Sequence, residues 1–294
     1  MKITEPGNYY NVKESDYHSD PLPDPSLSAG IIKPLLNLSP LHASRMHPRL
    51  NPNYKEENKT QFDIGKAAHS LLLNDPRAFE IIDADDWRKK DTQAARDAAY
   101  AAGKTPLLRK HWDSVQAMVK ATRAALQDHE CSNAFTASSK SEVTLVWRET
   151  NGVWCRCRID SMAENGKDFY DYETTAMSAN PDTISNMVNS MGWDIVSAFY
   201  KRGIKKVLGV ENPNYRFVVQ EASDPNALSV IALNSSAEFI ANKKIEAAIS
   251  LWGECLVSGK WPSYPNRVCY VGIPAYAESQ WLEREIRESE EEEL

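Results

Sequence analysis

The sequence predicts an α/β protein. Three observations carry this: windows in which apolar residues recur every three or four positions, windows in which they alternate with polar ones, and Asn-Gly pairs between the alternating windows. Along the chain the order is helices, then three strands, a helix, two strands and a long helix. With 294 residues, 42% of them hydrophobic, the chain fits one large α/β domain that can bury a sizeable core.

Residues 1–25 are rich in Pro, Asp, Asn and Tyr and read as an extended arm. Ser26-Leu27-Ser28 precedes Ile31, Ile32, Leu35 and Leu36, and a serine in that place suits a helix N-cap. Ser39-Pro40 ends that helix and starts another, and residues 47–60 are loop-like. Gln61 to Leu73 reads as a helix on the spacing of Phe62, Gly65, Ala68, His69, Leu72 and Leu73, stopped by Asn74-Asp75-Pro76. Its small residues Gly65, Ala67 and Ala68 would let another element approach closely. Residues 91–130 read as two helices broken near Gly103 to Pro106. Strands are expected at Ser141 to Arg148, Val153 to Ile159 and Asp168 to Glu173, with turns at Asn151-Gly152 and Asn165-Gly166. A helix over 182–203, ending at Gly203, precedes strands at Tyr215 to Glu221 and Leu228 to Leu233. A helix over 235–258 and a short apolar strand, Val268 to Ile273, complete the reading. No internal repeat is evident.

The net charge of −7 is concentrated at the end of the chain. Residues 283–294 hold seven acids and two bases, net −5, so the remainder carries −2. Such near-neutrality permits a local nucleic-acid groove without arguing for one. The five cysteines are odd in number, with one C-x-C at Cys155 and Cys157 and no C-x-x-C. That argues against a disulfide framework and against an iron–sulfur motif, and for reduced, partly buried thiols. No apolar run reaches the roughly 20 residues that span a membrane. Met1 to Asp20 lacks the apolar core of a signal peptide. The cytoplasm of a bacterial host cell is the expected location.

Chemistry concentrates in Arg158-Ile159-Asp160 and in Tyr170-Asp171-Tyr172-Glu173-Thr174-Thr175. Asp171 and Glu173, two apart on a strand, share a face, and the Asn165-Gly166 turn can bring Asp160 close to Asp171. From spacing alone these acids are either solvated or gathered around a hard cation, which takes oxygen ligands. The basic residues are scattered (Arg45, Arg49, Lys66, Arg156, Arg158, Lys201, Arg202, Lys205, Lys206), and they suit solvated surfaces as well as phosphate contacts. Trp112, Trp147, Trp154, Trp193 and Trp252 fall at core-like spacings, which favours packing over base stacking.

Seven short patterns in order across about 250 residues resemble the RecE-type (exodeoxyribonuclease VIII) branch of the PD-(D/E)XK nuclease superfamily. They are Leu27-Ser28 with Ser39-Pro40; Gly65 to His69 with leucines after it; Ser141-Glu142; Arg158-Ile159-Asp160; Asp171-Tyr172-Glu173-Thr174-Thr175; Gln220-Glu221 with Pro225; and Trp261-Pro262-Ser263-Tyr264 before Ile273-Pro274-Ala275-Tyr276. The resemblance implies a mixed central sheet flanked by helices in the PD-(D/E)XK arrangement. It implies His69, Asp160 and Asp171 as ligands of Mg²⁺ or Mn²⁺, with the Tyr172 carbonyl completing the shell. Glu142 would hold a second ion or its water, and Thr174 and Thr175 would support the site. Asp160, Asp171, Glu173 and Glu142 form the expected catalytic set, and Tyr200, Lys66, Arg158 and Lys201 the expected DNA contacts.

Two positions depart from the pattern. Glu173 stands where the motif lysine belongs, inverting the charge beside an anionic transition state, although some restriction enzymes of the superfamily use Glu there. Val196 stands where a Gln is expected ahead of Tyr200. The implied activity is 5′-to-3′ digestion of linear double-stranded DNA, leaving 3′ single strands for a RecT-type annealing protein in phage recombination. Impairment by Glu173 is expected, together with a homo-oligomeric state and no membrane. The rival is a non-catalytic DNA-end or protein-binding module. The expected organisation is an arm over 1–25, the nuclease-like domain over 26–280 and an acidic tail over 281–294.

Overall fold

The computed structural model describes residues 1–54, 63–74 and 79–292. It forms two compact units, Met1–Pro262 and Ser263–Leu294. Among the described residues no helix is long and apolar enough to cross a membrane.

The first unit is built on a six-stranded sheet in the order β1-β4-β5-β6-β7-β8. β4 (Lys140–Arg148), β5 (Trp154–Met162) and β6 (Asp168–Thr175) are consecutive antiparallel neighbours, as their alternation and turns predict. Gly152 and Gly166 take the left-handed conformations those turns require, with φ of 88° and 64°. β6 then pairs in parallel with β7 (Asn214–Glu221), and β7 pairs antiparallel with β8 (Leu228–Ile231), so the sheet is mixed. One face packs on α2 (Ala29–Asn37), α7 (Ser185–Met191), α8 (Trp193–Leu208) and α9 (Ser235–Ser258) around Ile32, Trp147, Phe199, Phe217 and Trp252. The other packs on α4 (Asp63–Leu72) and α6 (Arg109–Gln127) around Ala68, Leu72, Met118 and Tyr172. Trp147, Trp154, Trp193 and Trp252 are buried, and Trp112 packs on Phe79 at 4.6 Å between ring centres. All five cysteines are free, four buried and Cys269 exposed.

Local chemistry explains the helix limits. Ser39 Oγ accepts from the His42 amide at the start of α3 (Pro40–Met46), Asn234 caps α9 in the same way, and Gly259 closes α9 at φ 66°. The expected start of α4 at Gln61, with Phe62, and its stop at Asp75-Pro76 lie outside the described residues.

Four expectations are corrected. The helix expected over 182–203 is two helices, broken where Gly192 adopts φ 76°, and the second runs on to Leu208 before a left-handed Gly209. Gly203 is an interior contact: a Cβ there would come within 2.6 Å of the Trp147 ring. Residues 1–25 are not an extended arm throughout. Gly7–Tyr9 forms β1 against β4, and Glu14–His18 forms α1. Ile3, Val12, Tyr17 and Leu22 pack on Val146 and Trp154. Between α5 (Lys90–Ala101) and α6 lies β3 (Thr105–Leu108), paired in parallel with β2 (Phe79–Ile82). In the second unit Val268 to Ile273 form no strand: Val268, Tyr270, Val271 and Ile273 are exposed, and no ladder partner exists among the described residues. Among that unit's described residues the one helix, α10 (Ala275–Glu292), carries the acidic tail.

A buried ionic knot fastens the first 25 residues to the sheet. Asp20 accepts from the Ser26 amide at 2.9 Å and the Ser26 hydroxyl at 2.7 Å. Arg156 on β5 lies 3.1 Å and His47 Nε2 3.2 Å from its carboxylate. Arg156 also donates to the Tyr17 carbonyl at 3.2 Å.

Candidate active site

The site is a fork in the sheet. β4 and β5 keep one register, with Ser141 opposite Ser161 and Val143 opposite Ile159. Between those pairs Glu142 takes a left-handed φ of 51° across from Asp160. Ile159 and Met162, three residues apart, reach the same core, so the alternation of β5 slips by one around Asp160. β5 and β6 are paired only at Ser161–Tyr170 and Met162–Phe169, then part. At the parting, side chains replace the ladder. The Asp160 amide donates to Asp171 Oδ1 at 3.2 Å, and the Tyr172 amide donates to Asp160 Oδ2 at 2.8 Å.

His69 enters from α4, with Nε2 2.9 Å from Asp160 Oδ1. The approach depends on Gly65, where a Cβ would fall 2.5 Å from Thr174 Oγ1 on β6. Ala67 and Ala68 are fully buried beside it, as the run of small residues predicts. Gly65→Ala is therefore expected to cost about 1–3 kcal/mol of overpacking and to push His69 away from Asp160. Chemical denaturation, with the His69 imidazole followed by NMR, checks both effects.

The electrostatics are those of crowded carboxylates. Burial raises the Asp171 carboxyl well above its ordinary value, and the Asp160 charge adds to this, against hydrogen bonds from Tyr215 and the Asp160 amide. Burial and then Asp160 raise Glu173 to about 7, with His69 opposing. Burial alone would lower His69, but Asp160, Glu142 and Asp171 outweigh it and lift the imidazole to about 9. A proton on His69 thus holds the acids together.

The other expected residues are placed as follows. Tyr172 is buried, and its hydroxyl donates to Gln220 Oε1. Gln220 also accepts from Thr122 at 2.9 Å and donates to the Met118 carbonyl at 3.0 Å, so it joins α6 to the sheet. Glu221 accepts from the Ala179 amide at 2.8 Å, and Thr175 from the Met177 amide at 2.9 Å. Arg158 donates to the Val12 carbonyl at 2.7 Å and lies 4.4 Å over the Tyr17 ring and 3.9 Å from Glu142. Lys201 pairs with Glu238, Lys66 is exposed, and Val196 packs against the larger core. Tyr200 stands edge-on to Tyr215, 5.6 Å between ring centres. Tyr215 itself escaped the sequence reading. Its hydroxyl donates to Asp171 Oδ2, while in sequence it is one more aromatic in an apolar strand.

Residues 29–272 match the family model described as a PDDEXK-like domain of unknown function (DUF3799). The chain belongs to that family. Among solved structures, one described as a candidate exonuclease from Eubacterium rectale is 12% identical, covers 90% of this chain and 94% of its own, and has a TM-score of 0.56. It shares the fold of this PDDEXK-like domain. A second, SSO0001, is 11% identical over 67% of this chain and 88% of its own, with a TM-score of 0.26. No curated protein matches the sequence.

PD-(D/E)XK domains generally use divalent metals. Among the described residues of this PDDEXK-like domain, no three His, Cys, Asp or Glu side chains already stand as a metal cage. The reason is local: Asp160 is bonded to His69 and the Tyr172 amide, and Asp171 to Tyr215 and the Asp160 amide. The donor set still fits a hard divalent cation. It is an imidazole with Asp160, Asp171, Glu142 and Glu173, and the charges of Asp160, Asp171 and Glu142 all reach that imidazole.

Proposed function

We propose that this PDDEXK-like domain is a metal-dependent exonuclease of the RecE type, acting 5′-to-3′ on linear double-stranded DNA with catalysis impaired by Glu173. The observation that carries the reading is the fork at which His69 Nε2 meets Asp160 Oδ1, the Asp160 amide donates to Asp171 and the Tyr172 amide donates to Asp160. The family match and the Eubacterium rectale fold support a nuclease. His69, Asp160, Asp171 and the Tyr172 carbonyl would hold Mg²⁺ or Mn²⁺, with Glu142 beside them. Bound there, such an ion activates water and stabilises charge on the phosphodiester. To receive it, His69 Nε2 gives up the proton it shares with Asp160, and Asp160 keeps the Tyr172 amide that orients it. Of the expected DNA contacts, Lys66 and Lys201 would face DNA, whereas Arg158 is held inward by the Val12 carbonyl and the Tyr17 ring and Tyr200 packs on Tyr215; the product strand would pass to a RecT-type annealing protein. A homo-oligomer in the cytoplasm of a bacterial host completes the proposal.

The rival, a module that binds DNA ends or a protein without cutting, is favoured by one observation: a half-buried acid, Glu173, where phosphate charge must be received. The test is digestion of end-labelled linear duplex beside a covalently closed circle, in Mg²⁺ and in Mn²⁺, with Asp160→Asn alongside. Slow loss of the linear DNA alone, abolished by Asp160→Asn, is expected. Retention of ends in a gel shift with no cleavage in either ion would establish the rival.

A further inference from the structure

We propose that Tyr215 is a positioning residue that sets the Asp171 carboxylate for cation binding; this rests on the metal-dependent reading above. β6 and β7 run parallel with Phe169 opposite Tyr215 and Asp171 opposite Phe217. Tyr215 is therefore two residues out of step with the carboxylate it serves. Its side chain leans along the sheet face to reach Asp171 Oδ2, within the diagonal range that a long aromatic spans. The ring is held in that lean by two edge-on neighbours, Tyr200 at 5.6 Å and Phe217 at 5.3 Å between centres. Tyr215 is 1% exposed. A phenylalanine would fill this apolar place as well, and a buried hydroxyl is costly unless it has a partner. Here that partner is Asp171.

The consequence lies in the second oxygen. The Asp160 amide holds Asp171 Oδ1 at 3.2 Å while Tyr215 holds Oδ2. Anchored through both oxygens, the carboxylate cannot rotate about its own axis, yet each oxygen keeps a lone pair for a cation. With the Tyr215 hydroxyl removed, one anchor remains, and ordering the carboxylate falls to the ion itself. Outer partners that orient ligands in this way are worth about 10–100-fold in metal affinity.

The test is Mn²⁺ binding by the full chain, measured by calorimetry and by the loss of the free-ion EPR signal, for the unaltered protein and Tyr215→Phe. Unfolding in EDTA is measured alongside. The expected result is a dissociation constant raised about 10–100-fold in the variant, with an unfolding midpoint close to the parent's. A merely structural hydroxyl would move the midpoint and leave Mn²⁺ affinity alone, and that result overturns the proposal. If the unaltered chain binds no Mn²⁺, the metal-dependent reading fails and this inference with it; binding by both forms within twofold sinks this inference only. Should Tyr215→Phe not fold, 3-fluorotyrosine at position 215 supplies the readout. Its ¹⁹F line must shift during a Mg²⁺ titration with the midpoint that calorimetry gives for Mg²⁺ itself, and an unmoved line refutes the coupling.

Discussion

Glu173→Lys is expected to raise cleavage of linear duplex DNA by about 10²–10³. Asp171 and Glu173 are two apart on β6 and share a face, so whatever stands at 173 accompanies Asp171 into the fork. Glu173 is held at about 7 by burial and by the Asp160 charge, so at neutral pH the site carries either an added negative charge or an added proton, and neither receives phosphate. A lysine at 173 would instead find Asp160 and Asp171 as counter-charges and present an ammonium where the transition state gathers negative charge. Glu173→Gln separates the two effects, since it removes the repulsion without supplying a cation, and its rate should fall between the other two. Initial rates on end-labelled duplex in Mg²⁺ decide the matter. If the unaltered chain cuts fast in low Mg²⁺ and Glu173→Lys stops it, Glu173 is a working catalytic group and the site is not impaired. DNA binding by gel shift should differ little between the three forms.

The elements that build the fork were legible because their signals are local. Asn151-Gly152 and Asn165-Gly166 fix two turns, and alternation fixes the strands between them, so the β4-β5-β6 order follows from about 35 neighbouring residues. What was not legible depends on distant partners. Gly203 looks like a helix end in sequence, and only the Trp147 ring lying against it makes it an interior residue. β2 and β3 pair in parallel across an intervening helix, which no periodicity reveals. Val268 to Ile273 reads as a short apolar strand and has no partner among the described residues to make it one. In the site, His69 and Asp160 were foreseen together, whereas the reach of Tyr215 depends on a β6–β7 register set by the crossover through α7 and α8. The left-handed Glu142 likewise has no sequence mark beyond its place opposite Asp160.

Asp20→Asn is expected to cost about 3–5 kcal/mol of folding stability, the usual penalty for breaking a buried charge pair from one side. Asp20 sits at φ 60°, a conformation that Asn tolerates, so the exchange removes charge without adding backbone strain. What it leaves behind is the Arg156 guanidinium, 4% exposed on β5, whose contacts are then the neutral Ser26 and the Tyr17 carbonyl. His47 Nε2 also loses an anionic neighbour at 3.2 Å. Because Arg156 donates into the segment carrying β1 and α1, the N-terminal 25 residues should loosen first, seen as faster hydrogen exchange at Ile3 and Tyr17 than at Phe217. The pH dependence has a fixed sign. Burial alone would raise Asp20, but His47, Arg156 and Ser26 outweigh it and hold the carboxyl below its ordinary value. The stabilisation is therefore complete above the ordinary aspartate range of about 4 and is lost as pH falls through the depressed value, while Asp20→Asn lacks this acid limb. Replacing both partners, Asp20→Asn with Arg156→Met, should recover most of the loss, since an apolar side chain in that place carries no charge to desolvate. Urea unfolding of the three forms at pH 7 measures this. A single-variant cost below about 1 kcal/mol would mean that water reaches Arg156 and that apolar packing on Val146 and Trp154, not the ionic knot, holds the N-terminal residues to the sheet.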